Sequence, residues 1–462
     1  MAKKVQTVYV CQECGYESPK WMGRCVCGAW NSFAEEKTVP DKEDRRRRTG
    51  SVSVGTAGGR AGIPVPLREV RSGETDRITT GISEFDRVLG GGFVKGSLTL
   101  ISGEPGIGKS TLILQAAAHI ADGGSTVLYV SGEESEEQVR MRADRICPEL
   151  SGSLYILSET SMENIMAQFQ KLKPAFMIVD SIQTMYTDTL DSAPGSVTQV
   201  RECGAELMKA GKGNGIPVLI VAHVTKSGDL AGPKIVEHLV DTVLQFNGER
   251  SRDLRILRAL KNRFGTTNEI GAFEMGQEGL MPVDNLSESL MEDMGEGSEG
   301  SVATAVYEGT RPLILELQAL ATPTPSGFAR RQAIGADIRR LNMITAGLER
   351  HAGVSLINQD IYVNVVGGLR PKGTSCDLAV AMAIYSSYAR KLVPAGTLVL
   401  GEIGLTGELR SIPHADRILR EAERLGFSRV ILPEKNADKA KPSGNLKIQG
   451  VSNVAQALRL IG

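Results

Sequence analysis

The chain has 462 residues, more than one ordinary domain needs, which predicts roughly two to four domains with buried cores. Its 53 lysines and arginines nearly balance its 54 aspartates and glutamates, and the net charge of -1 gives no sign of a generally basic surface, so any nucleic-acid surface must be local. The basic N-terminus lacks the apolar core of a signal peptide, and no stretch has the roughly 18 apolar residues that span a bilayer, so we expect a cytoplasmic protein without a membrane partner.

Four of the seven cysteines lie close together near the N-terminus, as Cys11-x2-Cys14 and Cys25-x-Cys27. In a protein of the cell interior, such clustering favours a metal over disulfides. Four thiolates in two short knuckles suit tetrahedral Zn²⁺ and leave no open position for catalysis. Residues 1–35 are therefore predicted to form a zinc module for interactions or DNA engagement, and thiols without a metal are the alternative.

Composition divides the rest of the chain. Residues 36–72 lack apolar periodicity and are predicted to be a linker. Between residues 73 and 285, short β-branched runs alternate with amphipathic stretches, which predicts a largely parallel sheet covered on both faces. Residues 286–300 are acidic and rich in Gly and Ser, which predicts a second, solvated linker. Residues 301–462 are then expected to form a separate domain of helices and strands.

Residues 103–110 read GEPGIGKS and fit the phosphate-binding pattern GxxxxGK[ST], between the strand-like SLTLIS and the helix-like TLILQAAAHI. Glycines let backbone N–H groups turn towards phosphates, and the helix start adds positive partial charge beneath them. We expect Lys109 to contact the β- and γ-phosphates of ATP and Ser110 to coordinate Mg²⁺. The predicted nucleotide-binding residues are Gly103, Glu104, Pro105, Gly106, Ile107, Gly108, Lys109, Ser110 and Thr111.

Carboxylates for hydrolysis follow two further strand-like runs. FMIVD ends in Asp180, which would lie beside Mg²⁺ at the carboxyl edge of a central strand. Glu133 and Glu134 follow TVLYVS, and we choose Glu133 as the general base, the alternative being an exposed first helical turn. A third run, PVLIVAH, ends in His223, which either senses the γ-phosphate or is only a satisfied histidine at a strand end.

Two stretches resemble known ATPases. Residues 80–112 are similar to the entry into the core of RecA-like ATPases, including those of the KaiC type. Residues 261–265 read KNRFG, which resembles the motif that distinguishes the bacterial RadA (Sms) family of DNA repair proteins. The order of parts matches that family over essentially the whole chain. The resemblance predicts an α/β chain with an N-terminal four-Cys zinc module, a RecA-like P-loop ATPase core with a mainly parallel sheet, and a C-terminal Lon protease-like α+β domain.

The resemblance also implies a function. It predicts a hexameric ring motor that hydrolyses ATP, binds single-stranded DNA and promotes branch migration of recombination intermediates, with a RecA-type recombinase as partner. In such rings the nucleotide lies between subunits, so Lys261 and Arg263 would act on the γ-phosphate of the neighbouring subunit, as an arginine finger does. Two solvated charges beside a turn are the alternative for this pair. A KaiC-like signalling ATPase that is independent of DNA is the alternative for the chain.

By the same resemblance, loops that contact DNA should follow the strands ending at Asp180 and His223. The second, residues 225–233, reads TKSGDLAGP and carries Lys226. Neither loop is rich in aromatics, so base stacking is not expected from them. The run Arg45–Arg48 is a further candidate, with a solvated charge run as the alternative.

The sequence departs from the family pattern in the zinc module. The family has two residues between the last two cysteines, whereas only Val26 separates Cys25 from Cys27. A shortened knuckle strains the tetrahedron around the metal or weakens its binding.

The C-terminal domain departs from the protease that it resembles. Residues 371–377 (PKGTSCD) are similar to the segment with the nucleophilic serine of Lon-type proteases, which is Ser375 here. The Lon pattern places Asp416 where the lysine base should stand, and a serine without a base is a poor nucleophile. We therefore expect a ring-forming scaffold that contacts DNA, without proteolysis. Capping of the following helix is the alternative role of Ser375.

Overall fold

The structure, a computed structural model, describes residues 6–11, 16–30, 32–38, 66, 77–147, 149–223, 233–248, 254–291, 294, 297–324, 329–367, 371, 373–441 and 444–461. Contacts divide the chain into two compact units, Met1–Pro282 and Val283–Gly462. The domain boundaries at residues 35, 72, 285 and 300 stay predictions. The run Arg45–Arg48 lies outside the described residues.

A small antiparallel sheet forms the N-terminal module. Its strands are β1 (Gln6–Cys11), β2 (Glu17–Ser18) and β3 (Phe33–Thr38), with β1 in the centre. The buried cluster of the module consists of Cys11, Cys25 and Phe33. Because so small an apolar core stabilises a fold weakly, a metal that joins the thiols would add most of the missing stability.

The remainder of the first unit alternates strands with helices. Its strands are β4 (Arg77–Ile78), β5 (Phe93–Val94), β6 (Leu98–Gly103), β7 (Val127–Ser131), β8 (Leu154–Ser158), β9 (Phe176–Asp180), β10 (Val218–His223), β11 (Thr242–Gly248), β12 (Leu254–Asn262), β13 (Ile270–Gly276) and β14 (Gly279–Pro282). Its helices are α1 (Ser83–Leu89), α2 (Lys109–Asp122), α3 (Glu136–Ile146), α4 (Met162–Leu172), α5 (Val197–Asn214) and α6 (Pro233–Leu239).

Within the described residues, nine of these strands form one sheet in the order β14-β13-β12-β11-β6-β10-β9-β7-β8. The strands from β11 to β8 are parallel, and β12, β13 and β14 are antiparallel. Helices α1 to α3 pack on one face and α4 to α6 on the other, so β6, β7 and β9 are buried along their whole length. The predicted mainly parallel sheet is therefore confirmed.

The carboxyl ends of four adjacent parallel strands lie at one edge of this sheet. Gly103, His223, Asp180 and Ser131 end β6, β10, β9 and β7. His223 is in register with Gly103, and Ser131 with Asp180. Open α/β sheets bind their ligands outside this edge, so the sheet brings the predicted catalytic segments together at the expected place.

The second unit contains a mixed sheet with helices. Its strands are β15 (Ser301–Glu308), β16 (Arg311–Pro323), β17 (Arg331–Ile334), β18 (Gln359–Val365), β19 (Thr397–Val399), β20 (Glu402–Ile403), β21 (Leu409–Arg410), β22 (Arg429–Pro433) and β23 (Lys447–Val451). Its helices are α7 (Leu286–Met291), α8 (Ile338–Ala352), α9 (Asp377–Ala389), α10 (Ala415–Arg424), α11 (Glu434–Ala437) and α12 (Val454–Leu458). The described part of the sheet has the order β17-β18-β16-β15-β19-β22-β23.

The structure differs from the predicted solvated linker at residues 286–300. Its first part forms α7, where Leu286 and Leu290 are buried. The buried Ser287 hydroxyl also accepts a hydrogen bond from the backbone N–H of Ile314 at 3.1 Å. Two leucines four residues apart share one helical face, and burial of that face outweighs the acidic composition that suggested a linker.

None of the helices in the described segments is both long enough and apolar enough to span a lipid bilayer. The cytoplasmic location stays a prediction.

Candidate functional site

The glycine-rich loop joins β6 to α2, and two of its positions favour glycine, one because of a close backbone contact and one because of its positive φ. A Cβ built on Gly103 would lie 2.4 Å from the carbonyl oxygen of Phe246. Gly108 has a φ of 111°, and a Cβ there would lie 2.7 Å from Cε of Met275. No other residue type fits these positions without displacing its neighbours, so the loop keeps the tight form that binds phosphates through backbone N–H groups.

The other predicted nucleotide-binding residues are at the tip of this loop and in the first turn of α2. Glu104, Pro105 and Gly106 are exposed, whereas Ile107 is buried beneath them. Ser110 and Thr111 are half-buried in the first turn, where the helix dipole favours an anion.

The Lys109 side chain is buried inside the loop. Its ammonium donates to the carbonyl oxygens of Gly103 and Glu104, at 2.9 and 3.0 Å. It also lies 3.1 Å from Nδ1 of His223. Burial lowers the pKa of Lys109 to about 8, although two nearby carboxylates oppose this shift. The ammonium is thus a poorly solvated charge that can exchange loop carbonyls for phosphate oxygens.

Asp180 lies at the end of β9 and is only 9% exposed. Its Oδ2 accepts a hydrogen bond of 2.7 Å from the Tyr129 hydroxyl on the adjacent strand β7. Burial and the negative charge of Asp180 raise the pKa of Tyr129 well above its ordinary value, so the phenol stays a donor. The Asp180 carboxylate and the Ser110 hydroxyl are oxygen donors of the kind that Mg²⁺ prefers, so the donor set fits this ion.

Glu133 lies just beyond β7 and contacts two neighbouring side chains. The Ser181 hydroxyl donates to its Oε1 at 2.5 Å, and Nε2 of His223 lies 3.4 Å from the same oxygen. The hydrogen bond with His223, followed by that with Ser181, lowers the pKa of Glu133 to about 2 against the effect of burial. The carboxylate is therefore ionised at neutral pH, the form that accepts hydrogen bonds from water.

The neighbouring Glu134 is used differently. Its carboxylate is paired with Arg142 on α3. Of the two glutamates after β7, Glu133 is the one that lies beside His223, and its role as the general base stays a prediction.

His223 lies between the Lys109 ammonium and the Glu133 carboxylate. Because an ammonium can only donate, Nδ1 of His223 accepts from Lys109, and this assigns the ring proton to Nε2, which faces Glu133. Both ring nitrogens of His223 therefore have partners at this site, and a role in sensing the γ-phosphate stays a prediction.

Lys261 and Arg263 lie at the opposite edge of the sheet. The Lys261 ammonium donates to the carbonyl oxygens of Glu237 and Val240 at 2.8 and 2.7 Å. The half-exposed Arg263 is paired with Asp241, with Nη1 3.2 Å from Oδ1. Asp241 in turn exchanges hydrogen bonds with Leu98, the first residue of β6. The structure thus separates this pair from the P-loop, which follows the last residue of β6.

The predicted DNA-contacting loops differ in what the structure describes. After Asp180, Ser181 and Ile182 are buried, and the exposed part of the segment, residues 188–195, contains two aspartates and neither lysine nor arginine. This composition disfavours contact with phosphates. The second loop, including Lys226, lies outside the described residues.

In the N-terminal module, the sulfurs of Cys11, Cys25 and Cys27 lie within 4.8 Å of one another, and those of Cys11 and Cys27 are 3.9 Å apart. A tetrahedron with Zn–S bonds of about 2.3 Å has sulfurs roughly 3.8 Å apart, so the cluster fits zinc. The shortened knuckle is closed by a hydrogen bond of 2.9 Å from Gly28 N–H to the carbonyl oxygen of Cys25. Cys14, the fourth predicted ligand, lies outside the described residues.

The segment that resembles the nucleophile region of Lon-type proteases ends at Asp377, which forms an ion pair with Arg340. The first residue of α9, Asp377, is buried and accepts hydrogen bonds of 3.0 Å from Nε of Arg340. Cys376, not Ser375, is the N-cap of α9, and it makes no side-chain capping hydrogen bond, so the alternative role given to Ser375 is wrong. Asp416 lies in the first turn of α10.

Sequence reasoning missed Tyr129 and Ser181. Tyr129 lies in an apolar run and was taken only as part of a strand, although a buried tyrosine hydroxyl requires a partner. Ser181 directly follows Asp180, but only the fold brings it to Glu133, 48 residues earlier.

The sheet order, the P-loop and the converging carboxylates define a P-loop ATPase of the RecA-like class. Models of known protein families agree with this assignment. The model described as AAA domain matches residues 65–229. The model described as rubredoxin metal binding domain matches residues 9–35, which contain the cysteine cluster. The model described as subunit ChlI of Mg-chelatase matches residues 336–436.

Curated relatives match the chain from end to end. DNA repair protein RadA of Bacillus subtilis is 50% identical over 458 residues, which cover 99% of this chain and 98% of the relative. The RadA proteins of Halalkalibacterium halodurans and of Streptococcus pyogenes serotype M3 are 49% and 47% identical, over 100% of this chain and 99% and 100% of their own lengths. The chain therefore belongs to the RadA family, and the resemblance stated from the sequence is confirmed.

The cysteine cluster predicts about one zinc ion per chain, measured by elemental analysis after careful reduction. Cys25→Ser should lose most of the zinc, because it removes one ligand of the tetrahedron. Cys147→Ser, which removes a buried thiol outside the module, should retain it. A zinc-to-protein ratio near zero in the reduced wild type would remove the claim.

The lowered pKa of Lys109 predicts a pH dependence of stability. In the protein without nucleotide this pKa is about 8, whereas in the unfolded chain it is about 10.4. Between these values the unfolded chain binds more protons, so this group makes the free energy of unfolding increase with pH. Urea unfolding from pH 7 to 10 should show this increase for the wild type relative to Lys109→Met. The control is Lys209→Met, which removes an exposed lysine. If the free energy of unfolding increases with pH equally in Lys109→Met and Lys209→Met, the prediction is contradicted.

Proposed function

We propose that this chain is an ATP-driven DNA motor that acts in repair and homologous recombination. It binds single-stranded DNA and branched recombination intermediates and promotes branch migration as a ring-shaped homo-oligomer, a hexamer, with a RecA-type recombinase as partner. The name of the RadA relatives supports the role in DNA repair. The ring is inferred from the position of Lys261 and Arg263 relative to the P-loop.

In a single chain, these two cations cannot act on the nucleotide of the same P-loop. Arg263 is held at the start of β6 through Asp241, and Gly103 ends the same strand. With a rise of about 3.3 Å per residue, the two ends are roughly 17 Å apart, which an arginine side chain does not span. If Arg263 stabilises the γ-phosphate, it does so in a neighbouring subunit. A head-to-tail contact of this kind closes into a ring when the rotation permits.

The residues of one P-loop have separate tasks in hydrolysis. Lys109 binds the β- and γ-phosphates, and Ser110 and Asp180 hold Mg²⁺, which neutralises phosphate charge when it is bound. Glu133 orients the attacking water, with His223 and Ser181 fixing its carboxylate.

The neighbouring subunit supplies the remaining charge. Its Arg263 exchanges the carboxylate of Asp241 for the γ-phosphate. Its Lys261 lies two residues earlier, near the end of β12. The Lys261 ammonium donates two of its three N–H groups within the chain, so one remains for a phosphate oxygen.

Contact with DNA is assigned to the loop after His223, because the loop after Asp180 exposes only acidic charges. The N-terminal module serves interactions. It contains both tryptophans of the chain, Trp21 and Trp30, which are 54% and 70% exposed. Exposed aromatics of this size are typical of binding surfaces.

Dependence on DNA is tested by ATP turnover with and without single-stranded DNA. The wild type should be stimulated by DNA, and its DNA binding should weaken steeply as salt rises. Lys109→Ala should abolish turnover in both conditions, because it removes the charge that contacts the phosphates. Turnover that is indifferent to DNA would favour the KaiC-like signalling ATPase instead.

Action between subunits is tested by mixing two inactive variants, Lys109→Ala and Arg263→Ala. A mixed ring contains interfaces with an intact P-loop from one variant and an intact finger from the other. When the two variants are mixed at equal amounts, about a quarter of the interfaces have both an intact P-loop and an intact finger. The mixture should therefore recover about a quarter of the wild-type ATP turnover. Arg140→Ala, which removes an exposed, ion-paired arginine on α3, should be active alone. No recovery in mixtures that do form joint oligomers would contradict an action between subunits.

A further inference from the structure

The Tyr129 hydroxyl is a polar group in an otherwise apolar position. Tyr129 is 1% exposed and packs in the cluster that also contains Phe176 and Ile178. A phenylalanine would fill almost the same volume there without placing a hydroxyl in the core. Burying a hydroxyl costs free energy unless it forms a hydrogen bond. The hydrogen bond to Asp180 is therefore what distinguishes tyrosine from phenylalanine at this position.

This hydrogen bond fixes the side chain of Asp180 and not its backbone. The backbone is already held, because Asp180 is paired in register with Ser131 and its carbonyl oxygen accepts from Gly132 N–H at 2.8 Å. The carboxylate, in contrast, still rotates about its side-chain bonds unless something holds it. Among the residues that the structure describes, the Tyr129 phenol is the one group that donates a hydrogen bond to this carboxylate. It donates to Oδ2, and no hydrogen bond to Oδ1 is seen there.

We propose that Tyr129 is a positioning residue of the metal site: its hydroxyl holds Oδ2 of Asp180, so that Oδ1 is directed to the Mg²⁺ of the bound nucleotide. The inference rests on the metal role proposed above for Asp180. Carboxylates that bind metals are commonly oriented by such outer partners, whose loss lowers metal affinity or activity about 10- to 100-fold.

The two carboxylates of the site accept hydrogen bonds from different hydroxyl groups. Ser181 holds Glu133, and Tyr129 holds Asp180. Loss of the phenol should therefore affect the metal-dependent part of nucleotide binding and leave the orientation of Glu133 unchanged.

The test is the affinity of the full chain for a fluorescent ADP analogue, measured with Mg²⁺ and with EDTA. The ratio of the two dissociation constants gives the contribution of the metal. Tyr129→Phe should reduce this ratio about tenfold while the affinity in EDTA stays unchanged. The unchanged affinity in EDTA also shows that the fold and the P-loop are intact.

The matched control is Ser102→Ala. It removes another buried hydroxyl, which donates to the carbonyl oxygen of Leu244 at 3.1 Å, from a neighbouring part of the same sheet. This variant should keep the Mg²⁺ effect of the wild type. An equal reduction in Ser102→Ala would show that loss of any buried hydroxyl suffices, and it would overturn the inference.

Asp180→Ala separates the inference from the function on which it rests. This variant should lose the Mg²⁺ effect, and adding Tyr129→Phe should reduce it no further, because the two residues act through one carboxylate. If Asp180→Ala keeps the Mg²⁺ effect, the metal role of Asp180 fails and the inference with it. If Asp180→Ala loses the effect and Tyr129→Phe keeps it, only the role of Tyr129 is overturned.

Discussion

The burial of the Lys109 ammonium is the interaction on which the nucleotide site depends. A charge taken out of water costs free energy, and the lowered pKa of Lys109 reports this cost. Two loop carbonyls and the ring of His223 offset part of it. Glycine at positions 103 and 108 permits this tight loop, because a Cβ at position 103 would collide with the carbonyl oxygen of Phe246 and position 108 has a positive φ.

Around this charge, hydroxyl donors hold the acidic groups in place. The Tyr129 phenol holds Asp180, and the Ser181 hydroxyl holds Glu133. Groups that are already oriented need little reorganisation when charge develops on a transferring phosphate, and such preorganised electrostatics is usually the largest contribution to catalysis. The low pKa of Glu133 follows from the same arrangement, because its partners stabilise the ionised form.

The strand β6 links the site to the proposed assembly. Its carboxyl end leads into the P-loop, and its amino end is joined through Asp241 to Arg263. A subunit of this fold therefore presents its P-loop at one edge of its sheet and a half-exposed arginine at the other. In the proposed ring, each nucleotide would be completed by the next subunit, so hydrolysis and assembly would depend on each other.

The sequence by itself determined the fold class and the centre of the site. The P-loop pattern, the apolar runs and the strand ends at Asp180 and His223 are local signals, and local periodicity is what a sequence reports directly. The KNRFG run and the order of parts were enough to recognise the family. Composition was a weaker guide, since it suggested a linker where Leu286 and Leu290 are buried in α7.

Only the tertiary structure decided which side chains meet. Tyr129 and Asp180 are 51 residues apart, and Lys109 and His223 are 114 apart, and they are in contact because parallel strands end at a common edge. The same sheet placed Arg263 at the far edge, although it follows β12, which is separated from β6 in the sheet by β11 alone. Spacing along the chain does not contain this information, because strand order and direction are set by the packing of the whole domain.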